Sequence, residues 1–351
     1  MADVTATADA GRDAPIGGFF GTHEPDGATG DVSVLEAWTG SRAWAGFVNA
    51  RSAFAALVST LPGATIWLPA FVCPDLIDPS FSERVRFYPV GEGFEPDLSG
   101  VEARMAAGDL VLVAAHFGLP LGTDVQDFAR RRPDLHIAED RAQALAPGPT
   151  SDKNWILYSP RKLLGVADGG LLVAPAGVTT GPQPTTVADS AALWRAPQLR
   201  QEDPLGRNNA VWHAANQGKE AAMAVTSDAM TERSLSILSR TSLSSLVAPK
   251  LTNWQLLDRT LHRWSALPAG STAPLLGYVL RLEPDARDAL LKGLYADRIF
   301  AAVHWPELAA PAGEFPREAQ WTRQLVTLPC DHRYGEADMV RIARRVVELL
   351  A

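Results

Sequence analysis

The segment from residue 109 to residue 138 constrains the fold more than any other part of the chain. Residues 109–115 form a continuous apolar run, residues 124–131 have the apolar spacing of a short helix, and residues 135–138 form a second apolar run. Strands that are apolar on both faces and are joined by a helix are typical of a parallel sheet covered by helices. We therefore predict an α/β fold with a mostly parallel central sheet, and Thr123 as the N-cap of the helix.

Apolar runs and amphipathic segments alternate along the rest of the chain. Before Pro175 they predict strands at 65–68, 85–88, 154–158 and 170–174 and helices at 52–60 and 74–80. After Pro175 they predict an irregular crossing over 177–204, a mainly helical stretch over 212–263, a strand at 277–282, and helices at 286–295 and 336–350. We expect three parts: an N-terminal arm (1–30), a large domain (31–215) and a smaller C-terminal α+β domain (216–351).

The composition excludes several classes of protein. The chain has 351 residues, 46% of them hydrophobic, and a formal net charge of −8 that argues against a nucleic-acid-binding surface. No segment approaches the roughly 18 apolar residues that span a bilayer, and the first residues lack the features of a secretory signal. Cys73 and Cys330 are too few for a disulfide framework and lack metal-ligand spacing. We expect a cytoplasmic protein with no metal and no membrane partner.

Two segments place reactive side chains beside predicted strands. In IAEDRAQAL, Asp140 follows a parallel strand, at the edge where open α/β sheets bind ligands. Its carboxylate suits either a helix cap or ion pair with Arg141, or a cationic ligand group. In LYSPRKLLGVADGG, Lys162 lies among apolar residues and glycines, next to Arg161. Burial and a neighbouring cation both lower the pKa of a lysine, which favours an amine nucleophile.

A third segment, NARSAF, opens a predicted helix. Arg51 and Ser52 lie at its start, where the helix dipole and unpaired N–H groups favour an anion. Taken alone, this segment favours Ser52 as an N-cap residue and Arg51 as a solvent-facing side chain.

Five ordered elements, NARSAF, LPAFVCP, AHFGLP, EDRAQAL and YSPRKLLGVADGG, resemble the DegT/DnrJ/EryC1/StrS family of sugar aminotransferases. The resemblance covers residues 16–351 and extends to LPCDHRYGEADMVRI near the C-terminus. It implies fold type I, the cofactor pyridoxal 5′-phosphate (PLP), and a homodimer with shared active sites. Residues 207–209 then become candidates to reach a neighbour's cofactor phosphate, although a surface loop is the commoner role for such residues.

The resemblance also implies roles for individual residues. Lys162 would form a Schiff base with PLP and move the proton, Asp140 would pair with the pyridine nitrogen, and Gln143 would lie near the phenolic oxygen. Arg51 and Ser52 would bind the phosphate.

The chain departs from the family pattern at two positions. The serine that usually precedes the lysine by five residues is replaced by Leu157, which leaves Ser159 as a further phosphate candidate. The aromatic residue that stacks on the ring falls at Cys73, so either Cys73 replaces it or Phe71 turns inward. His116 is a candidate to lie beside the ring, or else a hydrogen-bonded histidine at a strand end.

The resemblance favours an aminotransferase that moves an amino group from glutamate to a carbonyl acceptor such as a nucleotide-linked keto sugar. One alternative is another PLP-dependent reaction on an amino acid or a small biosynthetic intermediate, for which Arg323 and Arg333 are available to bind a carboxylate. A second alternative is a non-catalytic scaffold with no Schiff base at Lys162. A plain nucleotide-binding protein is disfavoured, because no strand is followed by a GxGxxG or P-loop motif.

Overall fold

The computed structural model describes residues 14–27 and 30–351, and the account that follows concerns these residues. They form thirteen strands and ten α-helices. The strands are β1 (Ile16–Gly17), β2 (Trp44–Phe47), β3 (Ile66–Pro69), β4 (Val85–Tyr88), β5 (Leu110–Ala114), β6 (His136–Asp140), β7 (Trp155–Tyr158), β8 (Gly170–Val173), β9 (Thr186–Val187), β10 (Asp228–Ala229), β11 (Tyr278–Arg281), β12 (Ile299–Phe300) and β13 (Leu325–Leu328). The helices are α1 (Val34–Thr39), α2 (Ala50–Ser59), α3 (Thr123–Arg131), α4 (Ser190–Glu202), α5 (Asn209–Ala222), α6 (Glu232–Arg240), α7 (Leu243–Leu261), α8 (Pro284–Ala296), α9 (Pro316–Gln324) and α10 (Glu336–Leu350).

Nine of these strands form one sheet in the order β4-β3-β5-β6-β7-β8-β2-β10-β9. The five strands from β4 to β7 in that order are mutually parallel, whereas β8 is antiparallel to both of its neighbours. Because β2 therefore runs in the same direction as β7, the carboxyl ends of β2, β3, β5, β6 and β7 share one edge of the sheet.

The apolar residues of β5 explain why the sheet is covered on both faces. Leu110 and Leu112 pack against a cluster that includes Phe54 and Leu57 of α2. Val111 and Val113 alternate with them and pack in a second cluster with Phe128 of α3. Alternate residues of a strand point to opposite faces, so one continuous apolar run serves two helical layers.

The C-terminal part is built around the antiparallel pair β11–β13, with α7 to α10 packed around it. The N-terminal segment joins this part, because β1 pairs in parallel with β12 through Ile16 and Ile299. The backbone N–H of His23 also donates to the carbonyl of Gly165, 2.8 Å away. The described part of the predicted arm is thus bound to both halves of the molecule. The boundary placed at residue 215 stays a prediction, and β10 of the large sheet lies beyond it.

Several local predictions were wrong. Residues 74–80 contain only a 3₁₀ turn at Pro74–Leu76, which Pro74 initiates and the next proline, Pro79, prevents from extending. The N-cap of α3 is Gly122, and Thr123 is its first helical residue. The predicted irregular crossing over 177–204 contains β9 and the helix α4.

The composition of α4 explains that last error. The proline in this helix, Pro197, interrupts the pattern that would have predicted it. Its N-cap is Asp189, whose side chain accepts from the backbone N–H groups of Ala191 and Ala192. The strands that were not predicted are β1, β2, β9, β10, β12 and β13, and β10 lies within the stretch predicted to be mainly helical. Each has only two to four residues, which is too short for a clear period of two.

Candidate functional site

A cavity of about 180 Å³ opens at the edge where the parallel strands end. Its wall consists of residues at or just after the carboxyl ends of β2, β3, β5, β6 and β7, together with Glu220 of α5 and Trp305 of the C-terminal part. Seven of the eight site residues predicted from the sequence lie in this wall: Arg51, Cys73, His116, Asp140, Gln143, Ser159 and Lys162. The eighth, Ser52, does not.

The start of α2 forms one side of this cavity. Asn49 is the N-cap, and its side-chain oxygen accepts from the backbone N–H of Ser52 at 2.8 Å. The hydroxyl of Ser52 accepts from the backbone N–H of Thr226 at 3.0 Å, so Ser52 ties α2 to the segment before β10. Arg51 faces the cavity, where it forms an ion pair with Asp75 at 3.3 Å.

A glycine allows α2 to approach the sheet this closely. A Cβ atom on Gly170 would overlap with the backbone of Asn49 and Ala50. Gly170, the second glycine of VADGG, therefore lets the first turn of α2 lie directly against the first residue of β8.

Asp140 and Gln143 form the floor of the cavity. One carboxylate oxygen of Asp140 accepts from the backbone N–H of Ala142 at 2.9 Å, and Asp140 makes no ion pair with any described cation. The side-chain oxygen of Gln143 accepts from the backbone N–H of Phe117 at 2.5 Å, whereas its buried Nε2 has no hydrogen-bond partner. A buried amide donor without a partner is costly, which indicates that a ligand oxygen belongs beside it.

The turn in AHFGLP holds Gln143 in this position. Phe117 adopts a left-handed conformation with φ of 56°, and Gly118 follows with φ of 82°. A Cβ on Gly118 would lie 2.7 Å from the carbonyl oxygen of Gln143. Backbone conformations of this kind are unfavourable for a bulky residue and concentrate at functional sites.

Lys162 ends the 3₁₀ turn Pro160–Lys162 that follows β7. Its backbone N–H donates to the carbonyl of Ser159 at 3.2 Å, and its half-buried side chain pairs with no carboxylate of the described chain. The neighbouring Arg161 is paired with Glu220 at 2.5 Å, so much of its charge is compensated. Lys162 is therefore the amine in this wall that is left without a counter-ion.

The two residues that LPAFVCP offers as neighbours of the ring lie differently with respect to the cavity. Phe71 is fully buried in the core, 5.4 Å from the ring of Trp321, and does not reach the cavity. Cys73 does line the cavity, and burial raises the pKa of its thiol although the charge of Lys162 opposes that shift. Trp305 is the aromatic residue that faces the cavity, with its ring 5.1 Å from that of Phe71.

His116 lies in the wall, and both of its ring nitrogens lie close to backbone carbonyl oxygens, of which a neutral imidazole can donate to one. Its Nδ1 is 3.0 Å from the carbonyl oxygen of Phe94, and its Nε2 is 2.7 Å from that of Phe71. Burial lowers the pKa of this imidazole. Only the face of the ring is left to meet a ligand.

A second, larger cavity of about 730 Å³ adjoins the first one and shares Arg161 and Lys162 with it. Its wall comes from the N-terminal segment, α5, α7 and the C-terminal part. Its aromatic and charged wall residues include Phe19, Phe20, Trp212, Lys250, His304, Asp331 and Arg333. Burial and, to a smaller extent, the charge of Lys162 lower the pKa of His304 to about 3, so this imidazole is neutral at neutral pH.

Two of the other residues suggested by the sequence also lie in the larger cavity. Asn209 is in its wall, as is Arg333, which is bound to Asp331 through two hydrogen bonds of 2.7 and 2.8 Å. Arg323 is exposed and lies outside both walls. Sequence reasoning missed Trp305, Glu220 and Lys250, which come from parts of the chain with no recognisable motif.

No protein-family model and no curated protein matches this sequence. The fold, however, is that of the fold type I PLP-dependent transferases, as predicted, and solved structures of sugar aminotransferases share it over nearly the whole chain. Spr1654 of Streptococcus pneumoniae, described as a sugar aminotransferase and solved in a pyridoxamine-phosphate form, is 15% identical with a TM-score of 0.65. That comparison covers 95% of this chain and 98% of Spr1654.

Two further solved structures share this fold. DesV of S. venezuelae is 18% identical with a TM-score of 0.63, and the match covers 98% of this chain and 92% of DesV. PseC of Helicobacter pylori, an aminotransferase of pseudaminic acid biosynthesis, is 13% identical with a TM-score of 0.64 over 96% of this chain and 99% of PseC. At these identities the likeness establishes the fold. Within the residues that the structure describes, no helix is long and apolar enough to cross a membrane.

Proposed function

We propose that this chain is a PLP-dependent aminotransferase whose cofactor binds in the smaller cavity and is held as a Schiff base by Lys162. The observation that carries this proposal is the convergence of seven residues, chosen from the sequence alone, on one wall at the carboxyl edge of the sheet. That edge is where open α/β sheets bind their ligands. The common fold with solved sugar aminotransferases supports the same assignment.

The polar groups of the cavity suit PLP. Asp140 offers a carboxylate without a counter-ion to a protonated ring nitrogen, and the unpartnered Nε2 of Gln143 offers a donor to the phenolic oxygen. Arg51, Asn49 and Ser159 supply charge and hydrogen-bonding groups for the phosphate near the start of α2. Ser52 contributes indirectly, by holding α2 to the segment before β10.

When bound, PLP provides a ring that withdraws electrons from the carbon next to the transferred nitrogen. Asp140 would hold the ring nitrogen protonated, and the amine of Lys162 would move one proton at the reacting carbon. Lys162 lies where the two cavities meet, so its amine can serve a cofactor in one and a substrate in the other. Trp305 and His116 restrict the space above the floor and limit the access of water.

For the substrates we propose glutamate as the amino donor and a keto sugar carried on a nucleotide as the acceptor. The larger cavity has room for a substrate of that size, and sugar aminotransferases recur among the structural neighbours. We further propose a homodimer, as the family resemblance implies, which size-exclusion chromatography with light scattering will test.

The decisive experiment is to add PLP to the purified protein, reduce it with borohydride and locate the modified residue by mass spectrometry. We expect a visible absorption band and a modification at Lys162, and a change of the band when glutamate is added. Lys162→Ala should abolish both, whereas Lys153→Ala, which alters an exposed lysine before β7, should abolish neither. A protein that forms no band at any PLP concentration would be a non-catalytic scaffold.

A band that needs Lys162 but ignores glutamate would retain the cofactor and exclude glutamate as the donor. The reaction would then be a transamination with another donor or a different PLP-dependent reaction.

A further inference from the structure

The larger cavity contains a lysine whose position is unusual. Lys250 lies on α7 and is only 2% exposed, yet it belongs to the wall of this cavity. Its Nζ donates to the backbone carbonyl of Leu276 at 2.8 Å, and Leu276 lines the same cavity. An ammonium group has three donors, and a buried one is rare unless it is paired.

No described carboxylate forms an ion pair with Lys250. The carboxylate of the cavity wall belongs to Asp331, and both of its oxygens are engaged by the side chain of Arg333 at 2.7 and 2.8 Å. The described wall therefore carries four cationic side chains, those of Arg161, Lys162, Lys250 and Arg333, against one carboxylate. Because Arg161 and Arg333 already have acidic partners, Lys250 has positive charge to offer a ligand.

A chain of hydrogen bonds fixes Lys250 relative to the smaller cavity. Leu276, which accepts from Lys250, donates its backbone N–H to the carbonyl of Phe117 at 2.7 Å. Phe117 in turn donates to the side-chain oxygen of Gln143 at 2.5 Å. Three short bonds, one of them between two backbone groups, thus connect Lys250 with the residue that we place beside the cofactor. Such a connection holds a charged group in one position before a ligand arrives.

We propose that Lys250 binds a carboxylate group of the amino donor in the larger cavity. The excess of cationic side chains in the cavity wall supports the binding of an anion. The identification of that anion as the amino donor rests on the proposed function. A buried, preorganised ammonium group that lacks a counter-ion gains a charge-assisted hydrogen bond when a carboxylate enters. The site therefore selects donors that carry a carboxylate besides the group that reacts at Lys162, as glutamate does.

The first test measures binding of glutarate, a dicarboxylate without an amino group, to the PLP-free protein by calorimetry. Lys250→Gln retains a donor for the carbonyl of Leu276 but removes the charge, and we expect it to weaken glutarate binding about tenfold or more. Lys292→Gln, which alters an exposed lysine of α8, is the matched control and should leave binding unchanged. Equal affinities for the wild type and Lys250→Gln, with melting temperatures that show both are folded, would overturn the proposal.

The second test determines whether the carboxylate that Lys250 binds belongs to the amino donor. With PLP bound and no acceptor present, glutamate alone should change the cofactor absorption at a concentration about tenfold higher in Lys250→Gln than in the wild type, with a similar rate at saturation. An unchanged glutamate dependence overturns the assignment to the donor. If the wild type forms no PLP absorption band but Lys250→Gln still weakens glutarate binding, the proposed function fails and the anion-binding site is retained.

Discussion

The two cavities that meet at Lys162 are built in different ways. Nearly the whole wall of the smaller cavity consists of residues at or just after the carboxyl ends of strands of the large sheet. The wall of the larger one is assembled from the N-terminal segment, α5, α7 and loops of the C-terminal part, which are far apart in the sequence. The chemistry proposed for the cofactor is therefore encoded in short local motifs. The selection of the substrate depends on residues that only the folded chain brings together.

Lys162 belongs to both cavities, so its removal gives the largest expected effect. We expect amino transfer by Lys162→Ala to fall about 10³-fold or more, because no amine is left to hold the cofactor and move the proton. Stopped-flow absorbance with glutamate measures the loss. Because Lys250 remains, the same variant should still bind glutarate in the larger cavity, although more weakly since Lys162 is also a cation of that wall. A complete loss of glutarate binding would show that Lys162, and not Lys250, holds the anion.

Asp140 tests the smaller cavity alone. Asp140→Asn preserves the size of the side chain but removes the charge that would hold a proton on the ring nitrogen. We expect PLP binding to weaken and the glutamate-dependent rate to fall, each by about 10- to 100-fold, as is typical of a lost charged hydrogen bond. Fluorescence titration with PLP and single-turnover rates provide the measurement, with the exposed Asp152→Asn as the control. A variant that behaves like the wild type would remove Asp140 from the site.

Gly170 tests whether the close packing of α2 against β8 shapes the smaller cavity. Gly170→Ala should reduce the free energy of unfolding by about 1–3 kcal/mol, because the added methyl group overlaps with the backbone of α2. Urea unfolding measures this change. Gly63→Ala, where a methyl group meets no atom within 4 Å, is the control. Equal stability of the two variants would contradict the close approach seen here.

The pH dependence of anion binding separates the larger cavity from the smaller one. Burial lowers the pKa of Lys250, and the charge of Arg333 lowers it further, while Cys330 and Asp331 act in the opposite direction. Because carboxylate binding needs the protonated amine, glutarate affinity should decline as the pH rises through this lowered pKa, below the value of about 10.4 for an exposed lysine. Calorimetry at a series of pH values measures the decline, which should be absent from Lys250→Gln.

The smallest effect is expected at Cys73. Burial raises the pKa of its thiol, so the thiolate fraction at neutral pH is lower than in a free cysteine. Alkylation by iodoacetamide, followed by mass spectrometry, should be slower than that of glutathione and slower still with PLP bound. Fast alkylation that PLP does not affect would show that Cys73 does not face the cofactor.

Residues of the smaller cavity could be predicted from the sequence more readily than those of the larger one. Asp140 and Lys162 could be found because they lie at or just after apolar runs long enough to be recognised as strands, whereas the family resemblance alone implied Gln143. Trp305 and Lys250 could not, since no spacing rule links them to those strands and an isolated lysine within an amphipathic helix resembles a solvent-facing one. The motif LPAFVCP left the aromatic wall undecided between Phe71 and Cys73, and the structure places Trp305 there.

The prediction of secondary structure failed where strands were short and where a proline interrupts a helix. Strand β2 has four residues, and β9 and β10 have two each. They join the sheet because partners are available in three dimensions, which a local pattern does not record. Helix α4 contains Pro197 and still forms, because its capped start and the burial of Trp194 and Ala196 compensate for the interruption.

The N-terminal segment is a part of the larger cavity where substitutions can change substrate specificity. Gly17, Gly18, Phe19 and Phe20 line the larger cavity. They are held there by the β1–β12 pairing and by hydrogen bonds from Arg333 to the carbonyls of Gly18 and Phe19. Protein engineers can therefore redesign one contiguous stretch of a few residues to reshape the substrate chamber. Such libraries leave every strand of the large sheet, and with it the cofactor site, unaltered.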